Sequence, residues 1–90
     1  MKISDAKHYL RQWARATRRS RSQNIYFHYD KHGSNLTLPE YLAAAERFPR
    51  HQVRQTADRA DETTRFEDRF GRFLIVQTNT GLIVSYGENH

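Results

Sequence analysis

The chain has 90 residues, a net charge of +5 and no cysteine. A hydrophobic fraction of 37% and a charged fraction of 28% are typical of a small globular protein with a modest core, and exclude a disordered chain. The absence of cysteine excludes disulfides and thiolate metal sites. No apolar run approaches the roughly 20 residues that a membrane-spanning helix requires. The sequence therefore predicts one domain, residues 1–90, with no membrane span.

The positive charge is concentrated in the first 35 residues. They hold eight lysines and arginines against two aspartates, a net charge of +6, whereas residues 36–90 hold seven arginines against eight acids. Arginine can bind a phosphate through two parallel hydrogen bonds, which lysine cannot. The asymmetry favours a polyanionic partner, most often nucleic acid. A solvated helix face that only keeps the protein soluble is the alternative.

The first predicted helix covers residues 4–19. Apolar and small residues recur there every three or four positions, which predicts one buried stripe: Ile3, Ala6, Leu10, Trp13 and Thr17. A basic loop, residues 18–24, is predicted to follow. The cations of this helix and loop are candidate contacts to an RNA backbone: Lys7, Arg11, Arg15, Arg18, Arg19 and Arg21.

Residues 25–33 form the candidate active segment. Ile25, Phe27 and Tyr29 alternate with more polar positions, which would suit a short strand. A helix would instead place His28 and His32 on one face. Both readings are open, and in either of them the glycine at position 33 ends the element.

The second half of the chain has clearer signals. Thr37 and Glu40 have the spacing of a capping box before a second helix, residues 37–48. A sheet is predicted over residues 51–87, with two apolar strands at its centre joined by a tight hairpin at residues 79–81. The order predicts an α+β domain in which two N-terminal helices pack on one face of a three- to four-stranded antiparallel sheet. The other face is then free to hold a ligand.

The candidate segment contains the groups that RNA cleavage without a metal requires. The 2′-hydroxyl attacks the adjacent phosphorus, so a base must remove its proton, an acid must protonate the leaving 5′-oxygen, and cations must stabilise the transition state. His28, Lys31 and His32 supply these types within five residues. Further candidates lie on the predicted strands: Arg65, Ser85 and Tyr86 as catalytic groups and Thr78 as an RNA contact.

Two other roles for the histidines, in a zinc site or in the structure alone, are alternatives to catalysis. His28 and His32 are a partial zinc set, but Asp30 would not share their face in a helix and no HExxH motif is present. The sequence therefore predicts no metal site and no small-molecule cofactor. A purely structural role, with the histidines solvated and the neighbouring aromatic residues in the core, is the remaining alternative.

The order of these segments resembles the small ribonuclease toxins of the barnase–EndoU–colicin–RelE group. The matching pieces span residues 25–86: His28 with Lys31-His32-Gly33, the helix Glu40–Phe48, Thr64-Arg65-Phe66, Phe73–Val76 and Gly81–Tyr86. The resemblance implies an α+β fold, an RNA substrate that is frequently tRNA, and no metal. It also implies a cognate immunity protein or antitoxin as a partner, and action in the cytoplasm. The chain would be either a free-standing relative or a domain that is delivered from another cell as part of a larger toxin. His32 is the firmest match, followed by the other catalytic candidates: His28, Lys31, Arg65, Ser85 and Tyr86.

Two further functions stay open from the sequence. One is a nucleic-acid-binding module without catalysis that uses the same arginines. The other is a phage or bacterial inhibitor whose basic surface contacts an acidic protein partner. Loss of RNA cleavage when His32 is replaced would separate the first hypothesis from both.

Overall fold

The computed structural model describes residues 3–33 and 35–88. Three helices precede a four-stranded sheet: α1 (Ile3–Leu10), α2 (Arg21–His32), α3 (Leu38–Arg47), β1 (Arg54–Asp58), β2 (Thr63–Glu67), β3 (Arg72–Gln77) and β4 (Ile83–Glu88). The α+β class and the antiparallel sheet after the helices are confirmed, with three helices where two were predicted. None of the helices in the described part of the chain is long and apolar enough to cross a membrane.

The predicted helix over residues 4–19 is wrong beyond Leu10. There the chain leaves α1 and runs beside β4, where the Ile83 N–H donates to the Gln12 carbonyl and the Ala14 N–H donates to the Ile83 carbonyl, both at 2.7 Å. Trp13 is fully buried in this parallel bridge, whereas Thr17, predicted to be buried, is exposed. Because an edge strand has unpaired backbone groups, pairing with β4 overrides the helical periodicity.

The predicted basic loop is wrong from Arg21 onward, where α2 begins. Ser20 caps this helix, accepting a hydrogen bond at 3.1 Å from the Gln23 N–H. The helix includes most of the candidate active segment and ends as predicted at Gly33, whose N–H donates to the Tyr29 carbonyl at 2.7 Å. Of the two conformations considered for this segment, the helix is the one observed.

α3 lies within the predicted range 37–48, and its capping box is confirmed. The Thr37 N–H donates to Glu40 Oε1 at 2.9 Å, and the Glu40 N–H donates to the Thr37 hydroxyl at 3.3 Å. Pro39 stands in the first turn, where a missing N–H leaves no hydrogen bond unmade. Thr37, Pro39 and Glu40 thus fix the start of this helix locally.

The sheet is a meander in which each strand pairs antiparallel with the next. β3 lies inside the sheet, but β4 is at its edge, so only one of the two apolar strands is central as predicted. The hairpin that joins them contains Gly81 at a φ of 74°, the left-handed conformation expected there. Pairing of residues 12–14 with β4 covers the start of its outer edge.

The two faces of the sheet differ in chemistry because side chains alternate along each strand. The core face packs against α3 and Trp13 and carries Phe66, Leu74, Val76, Ile83 and Tyr86. The opposite face, called the second face below, carries Arg65, Phe73, Ile75, Ser85 and Gly87.

α2 lies along β4 and its side chains reach both faces of the sheet. The prediction that the helices pack on one face only is therefore wrong for α2. Its Ile25 joins the core, while His28 and His32 contact side chains of the second face. The buried Asn24 holds the helix in place, because its amide N–H₂ donates to the Ala14 carbonyl at 2.9 Å and to the Val84 carbonyl at 3.0 Å.

Candidate functional site

Two histidines form the centre of the candidate site. His28 and His32 are one turn apart on α2, and their rings are stacked with centroids 6.0 Å apart and planes 5° from parallel. The i, i+4 spacing of a helix produces this arrangement directly. Both side chains are half-buried, so each keeps an exposed edge.

β3 and β4 fix the orientation of the two rings. His28 Nδ1 shares a hydrogen bond of 3.0 Å with the buried Ser85 hydroxyl. The rings of His32 and Phe73 are perpendicular, with 5.4 Å between their centroids. A Cβ at Gly87 would lie 2.6 Å from His32 Cγ, so only glycine leaves room for that ring. Contacts with Ser85, Phe73 and Gly87 of the sheet therefore hold the His28 and His32 rings in place.

Arginines lie at both ends of the histidine pair. The Arg65 guanidinium is 4.3 Å from the centroid of Phe73, and its Nε donates to Glu67 at 2.8 Å. The Arg18 guanidinium is 3.7 Å from the centroid of Phe27, which packs against His28 at 5.0 Å. The result is a continuous series of rings with a cation at each end, called the aromatic row below: Arg18, Phe27, His28, His32, Phe73 and Arg65.

The environment of His28 keeps its imidazole neutral. Burial is the largest cause, and together with the positive charges of His32, Arg18 and Lys31 it lowers the His28 pKa from 6.5 to about 4. His28 therefore carries a lone pair across the physiological pH range. When its Nδ1–H donates to Ser85 Oγ, that lone pair is on Nε2.

The lowered pKa of His28 predicts acid sensitivity. Between about pH 6.5 and about pH 4 the unfolded chain binds a proton at His28 that the folded chain does not, so the free energy of unfolding falls as the pH falls through this window. After discounting for the exposed edge of the ring, we expect a loss of about 1–2 kcal/mol. Urea unfolding at pH 7 and pH 4.5 measures it for wild type and His28→Gln. An equal loss in both proteins would contradict the assignment.

The remaining catalytic candidates are placed unequally. Lys31 is exposed on α2 and acts on His28 through its charge. Tyr86 is adjacent to Ser85 on β4 and lies on the core face, where it packs against Tyr41 and Phe48. The structure therefore brings Ser85 to the histidines and keeps the Tyr86 ring away from them.

The predicted RNA contacts are scattered, with Arg18 the one that joins the aromatic row. Thr78 lies beyond β3, where its hydroxyl shares a 2.9 Å hydrogen bond with Thr64 of the core face. Arg21 at the start of α2 donates to the Leu10 carbonyl at 3.4 Å. The other predicted contacts are exposed along the first 20 residues: Lys7, Arg11, Arg15 and Arg19.

Three site residues were not predicted. Phe73 links His32 to Arg65, Gly87 makes room for His32, and Glu67 holds Arg65. Phe73 starts an unbroken apolar run, which does not show which face a residue occupies. Alternation from Ser85 to Gly87 along β4 is the one signal that places Gly87 on the second face.

The arrangement contains acid–base and cationic groups rather than a ligand set for a metal. Within residues 3–33 and 35–88 no three His, Asp or Glu side chains are grouped so that they could hold a metal ion. Among the groups placed together, the imidazoles of His28 and His32 can transfer protons, while Arg18, Lys31 and Arg65 can stabilise negative charge.

Comparisons of the chain with protein-family models, with curated proteins and with solved structures give no match. The geometry of the aromatic row and the chemistry of its side chains are therefore the observations that bear on function.

Proposed function

We propose that this protein is a metal-independent endoribonuclease that cleaves RNA by attack of the 2′-hydroxyl on the adjacent phosphorus. The observation that carries the proposal is the stacked pair His28 and His32, 6.0 Å apart on one face, with Arg18 and Arg65 at the two ends of the same row. A phosphodiester beside this pair would have a base, an acid and cations within reach.

The two histidines have different roles in the proposed reaction. Neutral His28 removes the proton of the 2′-hydroxyl as the 2′-oxygen bonds to phosphorus. The bond from phosphorus to the 5′-oxygen breaks, and His32 donates a proton to that oxygen. The products are a 2′,3′-cyclic phosphate and a 5′-hydroxyl. Arg65, Lys31 and Arg18 stabilise the negative charge of the transition state.

The proposed substrate is single-stranded RNA, with tRNA loops as the favoured source. Unstacked bases bind to exposed aromatic rings. Tyr26 is 58% exposed and Phe27 is 43% exposed on α2. They line a cleft of about 490 Å³ that also includes Gln23, Tyr29 and Asp30. Phe27 belongs both to this cleft and to the aromatic row, so a base in the cleft would contact one ring of that row.

The wider biological proposal is a toxin that acts in the cytoplasm of a target cell. The basic N-terminal part, with a net charge of +6 over the first 35 residues, would then also be the surface that an acidic immunity protein or antitoxin covers. Such a partner would block the aromatic row directly.

A cleavage assay on defined RNA tests the proposed activity. Wild-type protein is incubated with total tRNA in EDTA, and we expect fragments that end in a 2′,3′-cyclic phosphate. A 2′-O-methyl oligonucleotide should stay intact because it has no 2′-hydroxyl to attack. The double variant His28→Ala/His32→Ala, purified in parallel, controls for contaminating nucleases. Wild-type protein that leaves every RNA intact would contradict the proposal.

Binding without catalysis is the second candidate, because Arg18 and Arg65 each pair with an aromatic ring as in single-strand-binding surfaces. A protein of this kind would bind RNA without cleaving it. The logarithm of its binding constant should fall linearly with the logarithm of the salt concentration, with a slope of about −0.7 for each phosphate contacted. A protein that neither cleaves nor binds RNA, but is captured by an acidic protein, would fit an inhibitor instead.

A further inference from the structure

An exposed aromatic side chain stands at the tip of the β2–β3 hairpin, residues 68–71. Phe70 is 69% exposed, more than any other large hydrophobic side chain in the described residues. It takes no part in the aromatic row. A single exposed ring is common on a protein surface, so the case for a ligand at Phe70 depends on the groups around it.

The backbone of the hairpin is fixed around this ring by one carboxylate. Asp68 Oδ1 accepts hydrogen bonds of 2.9 Å from the N–H groups of Phe70 and Arg72, and Oδ2 accepts one of 2.7 Å from Arg72 Nε. Because these contacts already order the turn, a ligand would not have to order it. The hairpin that carries the Phe70 ring is therefore preorganised for binding.

Cations surround the ring. The guanidinium carbons of Arg69 and Arg72 are 5.0 Å and 5.6 Å from its centroid. A cleft of about 600 Å³ beside the hairpin is lined by both arginines and by Arg54. Of the two acids at this cleft, Asp68 is paired with Arg72 and Glu67 with Arg65. An exposed ring among arginines is the combination that binds a base and its phosphate.

The hairpin is at the end of the sheet where His32 packs. Phe73 pairs with Gly87 in the strand register, and both contact the ring of His32. Phe70 is three residues before Phe73, at most about 10 Å along the chain. The hairpin and the histidine pair therefore lie at the same end of the sheet.

We propose that the hairpin is a subsite for one unpaired base of single-stranded RNA, which stacks on Phe70 while Arg69 and Arg54 contact the adjacent phosphates. This proposal rests on the proposed function in taking RNA as the ligand. The subsite would hold a nucleotide outside the scissile linkage and so position the strand. It would favour unpaired RNA because the faces of a paired base are covered by its neighbours in the stack.

Binding of an uncleavable strand tests the subsite separately from catalysis. A fluorescein-labelled 2′-O-methyl RNA octamer is titrated with wild type and with Phe70→Ala, Phe70→Trp and Arg69→Ala. Stacking on a protein ring is lost in Phe70→Ala, so we expect its affinity to fall about 5- to 150-fold. Phe70→Trp should bind at least as tightly as wild type, and its exposed indole should be quenched by the octamer. Arg69→Ala should weaken binding and lower the salt dependence by about one phosphate contact.

The β1–β2 hairpin at the opposite end of the sheet provides matched controls. Arg59 and Ala60 are exposed there, so Arg59→Ala removes the same charge and Ala60→Trp adds the same reporter away from the subsite. Both controls should bind like wild type, and the indole at position 60 should not be quenched. Unchanged binding by Phe70→Ala, or equal quenching at positions 60 and 70, would overturn the subsite even in an active ribonuclease. Phe70-dependent binding by a protein that cleaves no RNA would support the subsite and contradict the proposed catalysis.

Discussion

Replacing His32 by alanine is expected to lower the rate of RNA cleavage by about 10²- to 10⁴-fold, the usual contribution of a positioned acid or base. The ring of His32 stacks on His28 and meets Phe73 edge to face, which fixes it beside the proposed phosphodiester. Alanine leaves the helix intact but removes the proposed proton donor. Initial rates on a labelled RNA oligonucleotide, with folding checked by circular dichroism, measure the loss.

An exposed histidine outside the row gives the matched control. His51→Ala removes the same side chain from the loop before β1 and should keep wild-type activity. Activity of His32→Ala within threefold of the wild-type rate would exclude His32 as the acid.

The pH dependence separates the two histidines. If neutral His28 is the base, kcat/KM should rise with pH through the His28 pKa of about 4. His32→Ala should keep this acidic limb, because His28 is still present, but the limb should move to higher pH because the charge of His32 no longer lowers the His28 pKa. Any limb that depends on the acid should disappear. Loss of the acidic limb in His32→Ala would reverse the roles proposed for the pair.

The cations explain how a base with a low pKa can serve this reaction. Arg18, Lys31 and His32 lower the pKa of His28 because they favour its neutral form. The same positive charges favour the anionic transition state of the phosphodiester. In the proposed reaction, stronger stabilisation of the negative charge thus offsets the weaker basicity of His28. This coupling predicts that removing a cation would raise the His28 pKa while slowing the reaction.

Local signals predicted only part of the fold. The pair Thr37 and Glu40 fixes the start of α3 through contacts within one turn, so its position can be read from the chain. The end of α1 cannot be predicted from nearby residues, because it depends on the pairing of Gln12 and Ala14 with Ile83, about 70 residues later. Ser20 and Gln23 have the spacing of a helix start, but the arginines around them favoured a loop.

The candidate site was predictable to a similar extent. The four-residue spacing of His28 and His32 places them together as soon as the segment is helical. Ser85 and Tyr86 are adjacent on a strand, so alternation alone excludes that both side chains face the histidines. Contacts that depend on tertiary packing, such as that of Phe73 with Arg65, have no signal in the spacing of the residues.

Replacing Asn24 by alanine is expected to lower the free energy of unfolding by about 2–4 kcal/mol. The Asn24 side chain is 1% exposed, and its amide donates to the carbonyls of Ala14 and Val84, so it joins α2, the segment after α1, and β4. Alanine removes both hydrogen bonds and leaves two carbonyl groups without this donor in or near the interior. For a domain of this size the melting temperature should fall by about 4–8 °C per kcal/mol. Thermal unfolding followed by circular dichroism measures the change.

Two further variants show whether the donors themselves are responsible. Asn24→Asp has the same shape but only acceptors when ionised, so it should be at least as unstable as Asn24→Ala. Asn35→Ala removes an amide from an exposed position and should change stability by less than about 0.5 kcal/mol. Since Asn24 is one turn before His28 on α2, loss of its bonds should also loosen the helix that carries the histidine pair. Equal melting temperatures for Asn24→Ala and wild type would show that other contacts hold α2 against the sheet.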